Sequence, residues 1–247
     1  MITLDEWLGA PHRTLLVVAH PDDESVGAGA QLARLAELTL ALVTDGAPRD
    51  LAFAQKAGCT TREEYAALRA RELDLALRRG DTQPERVMLG LVDQEAALHL
   101  PRVIAFVMAL IERVRPEAIL THPYEGGHPD HDAAAFAVAV ALERSGVAVA
   151  HFEMAYYNAR GDGAFLPGGP ADVVVPLSDE ARARKQAMFA AHASQAHVLG
   201  RFPVDSERFR VAPDYDFGKP PHEGQLYYER YGWKVNGELF RELCKVA

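Results

Sequence analysis

Thr14-Leu15-Leu16-Val17-Val18-Ala19-His20-Pro21-Asp22-Asp23-Glu24 is the stretch from which the fold is read. Its first six residues are apolar and rich in β-branching with no polar alternation, the pattern of a strand buried on both faces. The run stops at a polar cluster. Beyond it Val26, Ala30, Leu32 and Leu35 recur at near-helical spacing, and Leu38 to Thr44 reads as a second strand. Two strands joined through a helix imply a parallel crossover.

The alternation continues outward. Asp45-Gly46 breaks the second strand, and Thr60-Thr61-Arg62-Glu63-Glu64 offers a capping box for an amphipathic helix to about Arg79. Strands are expected over Glu85 to Leu89, Ala118 to Thr121, His151 to Tyr157 and Asp172 to Val175. Helices are expected over Pro101 to Val114, Ala133 to about Arg144, and Ser178 to about Ala193. From Leu199 onward, Pro203, Pro213, Pro220 and Pro221 point to loops, with a short last helix from about Gly237. This order predicts an α/β doubly wound, mostly parallel sheet with helices on both faces. Residues 1–247 read as one domain, a catalytic core over about 12–200 and a loop-rich extension over about 201–247.

Composition narrows the function classes. The 247 residues are 49% hydrophobic and 25% charged, the balance of a globular chain, and the formal net charge of -9 argues against a polyanion such as nucleic acid as partner. Cys59 and Cys244 lie far apart and outside any CxxC spacing, so neither a disulfide framework nor a cysteine zinc site is expected. The first residues carry acids where a signal peptide carries bases, and no apolar run reaches the roughly 20 residues of a membrane span. The expectation is a cytoplasmic enzyme.

The chemistry concentrates at two strand ends. His20, Asp22 and Asp23 share one turn, and His128, Asp130, His131 and Asp132 share another. In a doubly wound sheet, sites form beyond the carboxyl ends of strands, so the topology places both turns on one edge where they can converge. A divalent metal is the economical explanation. Hydrolytic zinc takes three protein ligands from His, Asp and Glu and keeps a position for water, and His20, Asp23 and His131 supply that set. Each residue alone has a plainer account as a helix cap or a core hydrogen-bonding group. Gly27-Ala28-Gly29 invites a dinucleotide reading, but the third glycine of that fingerprint falls at Leu32, and acids crowd the phosphate position.

Ala19-His20-Pro21-Asp22-Asp23-Glu24 paired with Gly127-His128-Pro129-Asp130-His131 resembles the LmbE/PIG-L family of N-acetylglucosaminyl deacetylases. The similarity extends through Thr44-Asp45-Gly46, Arg69-Ala70-Arg71-Glu72, Leu91-Val92-Asp93 and Lys185 with His192-Ala193-Ser194-Gln195. The resemblance implies a Rossmann-like sheet, zinc on His20, Asp23 and His131, Asp22 as general base, and His128 as a charge stabiliser. It makes Asp130 a group that orients an imidazole, and Arg69 and Asp93 substrate contacts; His122, at a strand end, is expected on the wall of the site. The expected reaction removes acetate from an N-acetylated amino sugar by metal-activated water, with protonated His128 as second donor to the oxyanion. Ferrous iron accepts the same ligands as zinc, and family members form various oligomers, so a homo-oligomer stays open.

Two other readings use the same residues. Two histidines and a carboxylate also form the facial triad of non-haem iron oxygenases, although Asp22 beside the ligands is a base that hydrolysis needs. A silent carbohydrate-binding relative would keep the loops as scaffold, but has no use for Asp22 and His128. Tyr156, Tyr157, Tyr227, Tyr228 and Trp233 have the spacing of core or interface aromatics, or of a surface on which a sugar stacks.

Overall fold

The computed structural model describes residues 1–35 and 37–247. α1 (Leu4–Gly9) leads into β1 (Thr14–Val18), α2 (Asp23–Ala28), β2 (Leu38–Thr44), α3 (Ala52–Lys56), α4 (Arg62–Arg79) and β3 (Glu85–Leu91). Next come α5 (Leu100–Val114), β4 (Ala118–Thr121), α6 (Pro129–Ser145) and β5 (Ala150–Met154). A small hairpin of β6 (Tyr157–Asn158) and β7 (Gly161–Asp162) precedes β8 (Val173–Pro176), α7 (Asp179–Ala191), α8 (Ala196–Leu199), β9 (Ser206–Val211) and α9 (Gly237–Val246).

The sheet runs β3-β2-β1-β4-β5-β9-β8. Pairing is parallel from β3 to β5, and β9 is antiparallel to both β5 and β8. The mostly parallel sheet is therefore as expected. Strand order reverses at β1, which pairs with β2 on one side and β4 on the other. At that switch point the carboxyl ends of β1 and β4 lie side by side, and the crevice above them is where this topology opens a site.

Both faces of the sheet are covered, which explains why β1 and β2 read as unbroken apolar runs. Leu16, Val18, Leu40 and Leu42 point into one core with Trp7, Leu73, Leu77 and Met188, while Leu15, Val17, Ala41 and Val43 point into the other with Val103, Val107 and Phe136. Gly27 sits where a Cβ would fall 2.7 Å from both Met154 Sδ and Tyr156 Oη, so its role is close packing of α2, not phosphate binding. No helix among the described residues is long and apolar enough to cross a membrane. Cys59 and Cys244 are both free.

α3 and the β6–β7 hairpin are additions to the sequence reading, β5 ends at Met154 short of Tyr157, and two further differences bear on the site. α6 starts at Pro129, four residues before Ala133, because proline suits the first helical position and His128 caps the end with its ring. Residues 206–211, expected as loop, form β9. Its charges had hidden it: Glu207 and Arg210 are buried, paired with Lys185 (2.8 Å) and Glu153 (2.7 Å). The tail then returns to the core through Leu226, Tyr228, Val235 and Phe240.

Lys185 and Glu207 also brace the helix behind the site. Lys185 Nζ donates to the Val26 carbonyl at 2.8 Å, and Glu207 accepts the Ala30 N–H at 2.9 Å. Lys185→Met leaves Glu207 buried without its cation, so unfolding free energy should fall by about 3–5 kcal/mol, with Lys185→Met/Glu207→Leu recovering part of the loss. Urea melts of the three proteins measure this; a single-variant loss under about 1 kcal/mol contradicts it.

Candidate metal centre and active site

His20 leaves β1 into a turn whose residues are held by backbone partners. Its N–H donates to Asp23 Oδ2 at 2.7 Å, and the Tyr156 hydroxyl donates to the Asp23 carbonyl at 2.8 Å. Asp22 between them adopts φ 130°, a left-handed conformation unusual for any residue but glycine. Two groups clamp it. Glu24 Oε2 accepts its N–H at 3.0 Å, and Arg69 reaches the Pro21 carbonyl, the Gly46 carbonyl and Asp22 Oδ2 at 2.5, 2.6 and 2.9 Å. Glu24 is itself fully buried, accepting from the Ser25 hydroxyl and lying 3.4 Å from His192.

The second turn enters beside β4. Gly127 must be glycine, because any Cβ there would collide with the Tyr157 carbonyl oxygen. His128 then caps α6: its Nδ1 accepts the Asp130 N–H at 3.1 Å. An N–H can only donate, so Nδ1 is unprotonated and the ring proton sits on Nε2. Burial, with His20 nearby, pushes His128 down to about 3. The expected protonated His128 is therefore corrected to a neutral imidazole whose Nε2–H remains available as a donor.

His131, one turn into α6, meets Asp23. Its Nε2 lies 3.3 Å from Asp23 Oδ1, while His20 Nδ1 lies 3.2 Å from Asp23 Oδ2. Donor atoms of His20, Asp23 and His131 all fall within 4.8 Å of one another. Ligands spaced around one tetrahedral zinc at about 2.0–2.1 Å stand roughly 3.3 Å apart, so the set has the right separation. His131 Nε2 is also buried without a hydrogen-bond partner, an orphaned atom that a cation would satisfy. Burial lowers the proton affinity of His131 to about 3, as a neutral ligand requires. His20 Nε2 faces Asp130 Oδ2 at 3.2 Å and Asp93 Oδ1 at 3.1 Å, the carboxylate backing usual for a ligating imidazole.

A second group, His20 with Asp93, His128 and Asp130, meets the same distance limit. Asp130 already accepts the Gln94 and Ala96 N–H groups at 2.6 and 2.9 Å, which places it as a support behind His20. Asp93 and Arg69 both line the cavity. His122 does not. It is fully buried beneath the site, its Nε2 accepting the Ala19 N–H at 2.9 Å and its ring stacked 3.9 Å from His131. The wall position expected for His122 is thus corrected to a floor under His131.

Asp22 lies on the cavity wall beside this centre. Burial raises it to about 7 against the pull of Arg69, with Asp23 adding to the rise, so its carboxyl can both take and return a proton near neutrality. Asp23 is held well below the usual carboxylate range: burial opposes this, but His131, His122 and His20 outweigh it.

The cavity holds about 300 Å³ and also receives Tyr157, Phe202, Tyr227, Tyr231 and Trp233. Spacing alone did not separate these aromatics from Tyr228, which is fully buried.

A sequence model of the family described as PIG-L: GlcNAc-PI de-N-acetylase matches residues 15–142. The probable N-acetyl-alpha-D-glucosaminyl L-malate deacetylase 2 of Bacillus subtilis (strain 168) is 36% identical over 140 residues, covering 53% of this chain and 60% of that protein. The 1D-myo-inositol 2-acetamido-2-deoxy-alpha-D-glucopyranoside deacetylase 2 of Catenulispora acidiphila is 30% identical over 145 residues, covering 49% and 48%. The chain thus spans about half to three-fifths of the length of these relatives. Among solved structures, the A40926 pseudoaglycone deacetylase Dbv21 superposes with a TM-score of 0.61 at 22% identity, covering 82% of this chain and 99% of that one. That likeness speaks to the fold.

Proposed function

From the premise that the chain belongs to the PIG-L family of GlcNAc-PI de-N-acetylases, shown by a match over residues 15–142, we propose that it is a metal-dependent N-deacetylase of an N-acetylglucosamine conjugate. The observation that carries this reading is the orphaned His131 Nε2 facing Asp23, with Asp22 held beside them on the cavity wall. His20, Asp23 and His131 would hold zinc, or ferrous iron, both of which accept imidazole and carboxylate donors. When bound, such an ion supplies Lewis acidity that lowers the pKa of water and polarises the acetamide carbonyl.

The chain's own groups do the rest. Asp22, fixed by Arg69 and Glu24, takes the proton of the attacking water, and the same carboxyl returns it to the departing amine. His128 donates its Nε2–H toward the oxygen that gains charge as the carbonyl becomes tetrahedral, a role that needs no positive charge on the ring. Arg69 is engaged with Asp22 and two carbonyls, so it acts as a clamp on the base in addition to lining the cavity. The tail over 201–247 is part of the same catalytic unit, since it supplies both core residues and cavity wall.

The test is acetate release from N-acetylglucosamine conjugates by purified protein. Turnover should vanish on chelation and return with zinc, without need of oxygen or an oxoacid. Dependence on oxygen would transfer the same residues to the oxygenase reading, and binding without turnover across a panel of acetamides would leave a carbohydrate-binding protein.

A further inference from the structure

We propose that the cavity selects an amino sugar whose aglycone is an uncharged aromatic group, an inference that rests on the deacetylase reading and narrows its substrate. Three rings of the tail make the case. The Tyr231 and Trp233 rings stack 5.0 Å apart at 20°, Tyr227 meets Tyr231 at 5.5 Å, and Trp233 lies 4.8 Å from His128. The series begins at the donor beside the reacting carbonyl and ends at Tyr231, which is 52% exposed. Phe53, 38% exposed on α3, lines the same cavity. A run of half-buried rings that starts at a reaction centre and ends open to water at Tyr231 forms a surface on which a flat apolar group can stack.

Charge disfavours a malate aglycone, such as the one in the name of the first relative. An anionic substituent such as malate is best held by a cation whose charge is not already paired. The arginines among the described lining residues are Arg69 and Arg201, and each is already paired with an aspartate, Arg69 with Asp22 at 2.9 Å and Arg201 with Asp162 at 3.0 and 2.8 Å. Size sets the other bound: about 300 Å³ lies at the small end of ligand cavities, room for a sugar and one or two rings but not for a large lipid. Stacking favours an aryl ring over an alkyl ring of similar area, because ring-on-ring contact adds attraction beyond buried surface.

The experiment compares the methyl, cyclohexyl, phenyl and malate glycosides of N-acetylglucosamine, together with N-octanoylglucosamine, on the zinc-loaded protein. Acetate or octanoate release is the readout. The phenyl glycoside should exceed the methyl and cyclohexyl glycosides in kcat/KM by about tenfold, and Tyr231→Ala and Trp233→Leu should each bring the phenyl-to-methyl ratio toward one. Preference for malate, equal rates for phenyl and cyclohexyl, or a larger gain from the octanoyl chain overturns the proposal. If no compound is turned over, the deacetylase reading fails instead, and calorimetry of the same glycosides decides the aromatic site by itself. Phenyl binding about tenfold tighter than methyl supports it, and equal binding overturns it.

Discussion

Asp22→Asn is expected to lower kcat by about 10²–10⁴, the range that loss of a general base covers, while bound zinc stays within about twofold of the wild-type content. Asparagine keeps the size of the side chain and an oxygen for Arg69, and it tolerates positive φ better than most residues, so the turn at φ 130° should survive. What it cannot do is accept a proton. The measurement pairs acetate release with metal analysis and a thermal melt of the same sample. Undiminished turnover removes Asp22 from the mechanism; loss of zinc together with turnover would reassign Asp22 as a ligand.

The fold was legible because its decisive elements are apolar runs bounded by polar turns. Leu38 to Thr44 and Ala118 to Thr121 are buried throughout, and in such strands composition and burial agree residue for residue. β9 was not legible for the opposite reason. Its Glu207 and Arg210 are buried only because Lys185, Glu153 and Glu125 meet them from elements distant in sequence, and no local pattern announces a partner 22 or 57 residues away. Loops with several prolines and a paired, charged strand look alike until the partners are placed.

The site divides along the same line. Two strand-end clusters of histidine and aspartate mark a metal centre because no core requires that density of ionisable groups, and the switch point at β1 and β4 brings them together. The protonation of His128 depends on a single backbone N–H, that of Asp130, and the burial of His122 depends on the Ala19 N–H; neither is visible in residue type or spacing. Glu24 and His192 stood in the quoted motifs without a role, for a related reason. Glu24 accepts the Asp22 N–H and His192 lies behind Glu24 at 3.4 Å, and a buried acid beside a metal motif reads from sequence as another helix-start carboxylate.

Which of the two overlapping donor groups receives the ion is decided by comparing His131→Ala with Asp93→Asn. Zinc binding of about 10–16 kcal/mol shared among four ligands gives roughly 3 kcal/mol for each, so loss of a true ligand should weaken affinity by about two orders of magnitude. His131→Ala removes the orphaned Nε2, and alanine at that helical position leaves α6 intact, so the full weakening is expected there with little change in melting of the metal-free protein. Asp93→Asn removes only a carboxylate beside His20 Nε2, where Asp130 still supports the ring, so affinity should fall by less than about tenfold. Competition against a zinc indicator measures both. The reverse order would move the ion onto His20, Asp93, His128 and Asp130, and Asp22 would then lose its place as the base beside the ligands.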